Sequence, residues 1–135
     1  MKIAMFLLLI GLFAKPINGA ELEYSVGLGL QYGGIIGYQL STRLEQGRIR
    51  GAVGLVGASV GYDHFVTENF AIGVTFTETI RTVYSLNLSY MPNGLRHEGW
   101  MFAADLGHMP DDDGEGFFST DGSKNVVWLT VGYRF

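Results

Sequence analysis

Period-two alternation of apolar and polar residues, a glycine-rich but proline-poor composition, and aromatic residues gathered at the ends of the alternating runs predict an all-β protein. The expected form is an antiparallel up-and-down β-barrel. The chain of 135 residues holds 20 glycines, 3 prolines and no cysteine, with 13% aromatic and only 16% charged residues. Such a length suits one domain. Strict alternation over several residues describes a ribbon with one apolar and one mixed face. No segment reads as an amphipathic helix of useful length.

The last ten residues carry the pattern most clearly. Counting back from the end, Phe135, Tyr133, Val131, Leu129 and Val127 form an apolar face. Arg134, Gly132, Thr130 and Trp128 form the other. Chain ends are usually loose and polar, so an amphipathic strand running to an aromatic last residue looks built to be held.

The first twenty residues have a different layout. Lys2 supplies a positive start, residues 3–14 are apolar, Lys15-Pro16 breaks the run, and Gly19-Ala20 ends it on small residues. This is the plan of a secretory signal peptide over residues 1–20, too short to span a bilayer comfortably. The remaining 21–135 form the predicted barrel domain. The whole chain has 13 acids and 9 bases for a net charge of −4. Removing Lys2 and Lys15 leaves a more acidic exported chain. No basic patch points to nucleic acid, and the missing cysteines exclude a disulfide framework.

Taken in order, residues 24–44 alternate throughout, and the phase survives Gly33-Gly34. A two-residue hairpin turn would reverse it, because such a turn pairs residues of opposite parity. The segment is therefore one long strand or two strands joined by a three-residue turn. Residues 45–48 read as a polar turn. Residues 49–62 read as a strand with a phase change that a bulge near Gly54 would reconcile. Residues 63–69 read as a connector. Phe70, Ile72, Val74 and Phe76 alternate next, followed by a reversal at 79–82. Tyr84, Leu86, Leu88 and Tyr90 come before the turn signal Pro92-Asn93-Gly94. Trp100, Phe102, Ala104 and Leu106 precede the polar segment 108–125 and the terminal strand.

Alternation alone does not separate a water-soluble sandwich from a transmembrane barrel, because both have one apolar face. Aromatic placement does. Tyr24, Tyr62, Phe70, Tyr84, Tyr90, Trp100, Tyr133 and Phe135 sit near strand ends, where rings of aromatic side chains lie at membrane interfaces. The opposite face is small and polar, which suits a narrow lumen. The fold class expected is thus an antiparallel up-and-down transmembrane β-barrel.

On these residues the sequence resembles small Gram-negative outer-membrane β-barrel proteins, of the porin-like and small outer-membrane protein superfamily. The alternate residues Val127, Leu129, Val131, Tyr133 and Phe135 are similar to the β-signal read by the barrel-assembly machinery. The run 61–73 resembles the strand, short turn and strand found at periplasmic turns. The resemblance implies location in the cell outer membrane and contact with its lipids and lipopolysaccharide. It also implies handling by periplasmic chaperones and the assembly machinery, and it says nothing of an activity.

Both termini of such barrels lie in the periplasm, so the strand count is even. Six long strands meet that condition if 24–44 is one strand, which puts 45–48 outside. Single-chain barrels of this kind start at eight strands. Eight is reached by splitting 24–44 and adding a strand near 116–119. Eight is the expected count, with six as the alternative.

Candidate chemistry is sparse. His64, His97 and His108 show no metal-ligand spacing, and no cofactor is expected. Asp111, Asp113 and Glu115 alternate as in a calcium loop, but the final bidentate acid is missing at Gly122, so a solvated acidic loop with no metal is expected and a weak surface cation site is the alternative. His108 with Ser119 or the neighbouring acids is the only candidate catalytic grouping. Arg43, Arg81, Asp105 and Arg134 fall on the inner face. Isolated charges are costly there, so they are expected to pair as a polar plug. The functional expectation is a structural or surface-interaction role without enzymatic activity. The alternatives are a small or oligomeric pore and a lipid A-modifying enzyme.

Overall fold

The structure, a computed structural model, describes residues 21–110 and 124–135. Eight strands follow one another along the chain: β1 (Leu22–Gly29), β2 (Gly34–Arg43), β3 (Gly47–Gly54), β4 (Ala58–Phe65), β5 (Phe70–Glu78), β6 (Thr82–Tyr90), β7 (Gly99–Met109) and β8 (Lys124–Arg134). Each pairs antiparallel with the next, and β8 pairs with β1 to close the barrel. The expected eight-stranded up-and-down barrel is the observed fold. Closure leaves no open sheet edge along the paired lengths. At the seam four residue pairs join β1 to β8, from Ser25↔Arg134 to Leu28↔Val131. Just beyond them the Phe135 N–H donates to the Tyr24 carbonyl at 3.0 Å.

The eight strands arise differently from the expected division. Residues 24–44 are indeed split; the expected strand near 116–119 lies outside the described residues, and the second added strand is found elsewhere. It comes from 49–62, which is two strands and not one with a bulge. The Gly54 N–H donates to the Gly57 carbonyl at 2.8 Å, and Val53 pairs with Ala58. That turn pairs residues of opposite parity, so the phase change read as a bulge is a chain reversal. The supposed connector 63–69 is also corrected. Asp63, His64 and Phe65 complete β4, and the turn occupies only 66–69. Residues 45–48 likewise shrink to a turn at 44–46, with Arg48 inside β3.

These changes move one turn across the barrel. Turns 44–46, 66–69 and 91–98 lie at the same end as residues 21 and 135, here called the terminal end. Turns 30–33, 55–57 and 79–81 lie at the far end. The six-strand alternative puts 45–48 opposite the termini; splitting 24–44 adds one strand before that turn and reverses it, and splitting 49–62 keeps 66–69 at the terminal end.

Between β1 and β2 the chain does not simply turn. Residues Leu30–Tyr32 form a 3-10 turn that folds into the barrel, and all three are buried. Gly33 ends it in the left-handed region (φ 76°), where glycine is the unstrained choice. Tyr32, which alternation assigned to the outer face, is fully enclosed. Its ring packs with Ala71, Met91, Leu95 and Met101 in a small apolar cluster, flanked by Phe65.

The glycine-rich inner wall now has a cause. A Cβ built at Gly27 or Gly132 would overlap the Tyr32 ring. Likewise, a Cβ at Gly61 would sit 2.9 Å from the Arg50 guanidinium carbon. Small residues on the wall leave room for large side chains that cross a narrow bore.

Candidate functional site

The polarity of the barrel is inverted relative to a water-soluble protein. Among the described residues, nine apolar residues are buried against seventeen polar or charged ones. The interior is therefore mainly a polar network, while Leu28, Ile36, Ile72, Val74, Leu86, Leu106 and Leu129 stand exposed on the outer wall. Soluble monomers seldom expose contiguous apolar patches above a few hundred Å².

Among the described residues three polar clusters occupy the lumen. The middle one is built on Asp63, from β4. Its Oδ2 accepts from Arg48 Nε at 2.7 Å and Arg50 Nε at 2.9 Å, both on β3. Its Oδ1 accepts from Arg50 Nη2 at 3.1 Å and Asn87 Nδ2 at 2.9 Å. Arg50 Nη2 also donates to Thr75 Oγ1 at 2.6 Å, and Arg48 Nη2 reaches Met101 Sδ at 3.2 Å. Two guanidiniums on one carboxylate, all essentially without solvent contact, link β3 to β7 across the bore. Charges so placed persist only when paired and hydrogen-bonded.

The far-end cluster holds the 3-10 turn. Gln31 Nε2 donates to Asp105 Oδ1 at 2.9 Å, and Thr130 Oγ1 donates to Asp105 Oδ2 at 2.6 Å. Ser59 Oγ donates to the Gln31 carbonyl at 2.8 Å, and Thr77 Oγ1 to the Leu30 carbonyl at 3.2 Å. Hydroxyls of β4, β5 and β8 thus satisfy backbone and carboxylate groups that the inward fold removes from water.

At the terminal end Glu23 takes both Arg43 and Arg134. Arg43 Nη1 also meets Glu21 at 2.9 Å. Arg134 donates to the carbonyls of Gly94 and His97, and Arg43 to that of Leu95. The 91–98 turn is thereby drawn over the barrel mouth, with Met91 and Leu95 buried beneath it. Leu95 N–H donates to the Glu68 carbonyl at 2.7 Å, tying this turn to the 66–69 turn.

Of the inner-face residues expected from sequence, Arg43 and Arg134 meet on Glu23, and Asp105 joins the 3-10 turn to β8. Arg81 stands in the 79–81 turn at the far end, where its backbone N–H donates to Thr79 Oγ1 at 3.2 Å. Sequence reasoning missed Arg48, Arg50, Asp63 and Glu23. Their signal was present in the inner parity of β3, β4 and β1, but assigning 45–48 and 63–69 to turns concealed most of it. Trp128, placed on the inner face, is 39% exposed near the far end.

The outer face carries the aromatic residues as an uneven pair of bands. At the terminal end Tyr24 lies 6.1 Å from Tyr38, Phe70 lies 4.8 Å from Tyr90, and Trp100 lies 5.4 Å from Tyr133, which lies 5.4 Å from Phe135 (centroid distances). Towards the far end the ring pair is Phe76 and Tyr84, 5.2 Å apart. Val127, Leu129 and Phe135 are well exposed on this face, Tyr133 is less so and Val131 is half-buried. His64 is exposed on the outer face of β4. His108 also points outward, and its Nδ1 lies 3.0 Å from Asn125 Oδ1. Asp111, Asp113, Glu115 and Ser119 lie outside the described residues. Among the described residues no three potential ligands converge as a metal site.

Comparison with models of known families, with curated proteins and with solved structures finds no match. The fold and the geometry of the two faces are therefore what bears on function.

Proposed function

We propose that this chain is an integral outer-membrane β-barrel protein with a closed lumen, acting as a structural or surface-interacting component and not as an enzyme. The observation that carries the reading is the inverted polarity: a charged, extensively hydrogen-bonded interior inside an exposed apolar wall. A bilayer is the solvent in which that wall is favourable, and a closed barrel leaves no backbone group unsatisfied there. Strands of 8 to 11 residues suit the height of a tilted transmembrane strand. The aromatic bands suit the two interfaces, with the fuller band at the terminal end facing the periplasm.

In this reading the outward residues Val127, Leu129, Val131, Tyr133 and Phe135 serve as the signal by which the assembly machinery takes up β8, and residues 1–20 direct export. The standing partners are outer-membrane lipids and lipopolysaccharide. The experiment is fractionation of cells expressing the full chain, followed by electrophoresis with and without boiling. A band in the outer-membrane fraction that migrates differently when unboiled supports the reading. Recovery as a soluble protein with no boiling-dependent shift overturns it.

A further inference from the structure

On the outer wall a furrow of about 740 Å³ runs between two rows of side chains. The lower row follows the strand register through Ile49, Tyr62, Val74, Leu86 and Leu106. Two residues further along each strand, the upper row follows Val60, Phe76, Tyr84, His108 and Asn125. Gly51, the register partner of Val60 on β3, adds no side chain to continue the upper row. Because Ile49 lies near the terminal end of β3 and Asn125 near the far end of β8, the furrow climbs the barrel wall.

Its two ends differ in chemistry. The length is apolar, but the far end closes on the His108–Asn125 pair, 3.0 Å apart, beside the Tyr84 ring. Five steps between neighbouring strands give a length of about 24 Å. The furrow runs across strands tilted by about 40°, so it rises about 15 Å along the barrel axis. One leaflet of a hydrocarbon core about 30 Å thick has that same depth. A furrow that descends one leaflet from a polar pair at the interface matches an acyl chain with its headgroup uppermost.

We propose that this furrow binds one acyl chain of a phosphate-bearing lipid, with His108 and Asn125 engaging the headgroup. The inference rests on the membrane reading above and adds a defined lipid site to it. The imidazole and the carboxamide supply donors for phosphate oxygens, and Phe76 and Tyr84 wall the chain near the headgroup. Leu86 lies in the floor row, midway along β6.

The test uses the full chain refolded in detergent and incubated with phosphatidylglycerol, or with diacylglycerol of the same acyl chains. Native mass spectrometry then reads the lipid retained. Insertion of each variant into vesicles and its boiling-dependent gel shift are scored first. Failure of the wild type to insert counts against the membrane reading, whereas insertion without lipid retention overturns the furrow alone. Wild type is expected to hold one phosphatidylglycerol. Leu86→Trp, which fills the furrow, is expected to lower the retained fraction at least about fivefold. Leu88→Trp, on the same strand and outside the furrow, is expected to match wild type. His108→Ala combined with Asn125→Ala should abolish the preference for phosphatidylglycerol over diacylglycerol. Equal retention by wild type and Leu86→Trp overturns the site, and equal retention of the two lipids by wild type overturns the headgroup assignment.

Discussion

The Tyr32 ring occupies the space that Gly132 leaves on the inner face of β8, so closely that a Cβ at residue 132 would overlap the ring. The two residues are a hundred positions apart in sequence, and the barrel seam brings them together. This relationship fixes how the 3-10 turn enters the lumen, since the turn's other ties, through Ser59, Thr77 and Asp105, position its backbone and Gln31.

Gly132→Leu should therefore destabilise the barrel by about 1–3 kcal/mol, the usual cost of overpacking a filled interior. Tyr32→Gly alone should cost about 3–5 kcal/mol through the cavity it leaves. If the two side chains compete for one space, the double variant should be more stable than the sum of the single effects by about 0.5–3 kcal/mol. Urea unfolding of the refolded barrel, run as a double-mutant cycle, measures this. Simple additivity would show that residue 132 does not bound the Tyr32 site.

Asp63 holds two buried guanidiniums. Asp63→Asn keeps the shape but leaves Arg48 and Arg50 facing each other without a counter-charge. Breaking such a pair by removing one partner costs about 3–5 kcal/mol. Arg48→Met in the Asp63→Asn background removes one of the stranded charges and should recover part of that loss. The midpoint of the boiling-dependent gel shift follows both changes. An Asp63→Asn barrel as stable as wild type would mean that the cluster is not energetically coupled.

Much of this architecture was legible in the sequence, and the parts that were not share one cause. The alternation of β5 to β8 reads correctly, because their inward residues are small or uncharged apart from Asp105 and Arg134, although β7 runs on to Met109 and β8 starts at Lys124, inside the segment 108–125 read as polar. β3 and β4 do not, because Arg48 and Asp63 read as marks of a turn, as polar residues do in a protein with an apolar core. In an inside-out barrel the charged residue at the end of a run can belong to the strand's inner face. The split at Gly54 shows in the sequence as a phase change, which reads as a bulge because a bulge and a tight turn alter parity alike; strand pairing decides between them. Tyr32 was unreadable by alternation, because a 3-10 turn breaks the period of two. Its lumenal site is implied only by distant glycines at 27 and 132.

Three clusters and the inward turn cross the bore at successive levels, so the wild-type barrel should carry no measurable ion current in a planar bilayer. The polar groups that line a conducting pore face water, whereas Arg48, Arg50, Asp63 and Asp105 are buried against one another and their neighbours. Removing the 3-10 turn's side chains with Gln31→Ala and Tyr32→Ala should leave the barrel silent as well, because the Asp63 cluster still spans β3 to β7. Stepwise conductance from the wild type at low protein would support the pore alternative, and conductance appearing only in the double variant would make the turn the sole barrier.

Val74 and Val66 test what solvent surrounds the wall. They are equally exposed, at 53% and 54%, but Val74 lies midway along β5 and Val66 lies in the 66–69 turn at the terminal end. In water the two positions would tolerate arginine alike, since surface substitutions usually fall within about 0.5 kcal/mol of neutral. Facing lipid, an arginine near the midplane of a barrel costs about 2–4 kcal/mol, falling to about 0–1 kcal/mol near the interface. Val74→Arg should therefore lower the folding free energy in phospholipid vesicles by about 2–4 kcal/mol, with Val66→Arg near wild type. Equal effects at the two positions would remove the main physical support for a membrane-facing wall, because exposure alone would then account for both.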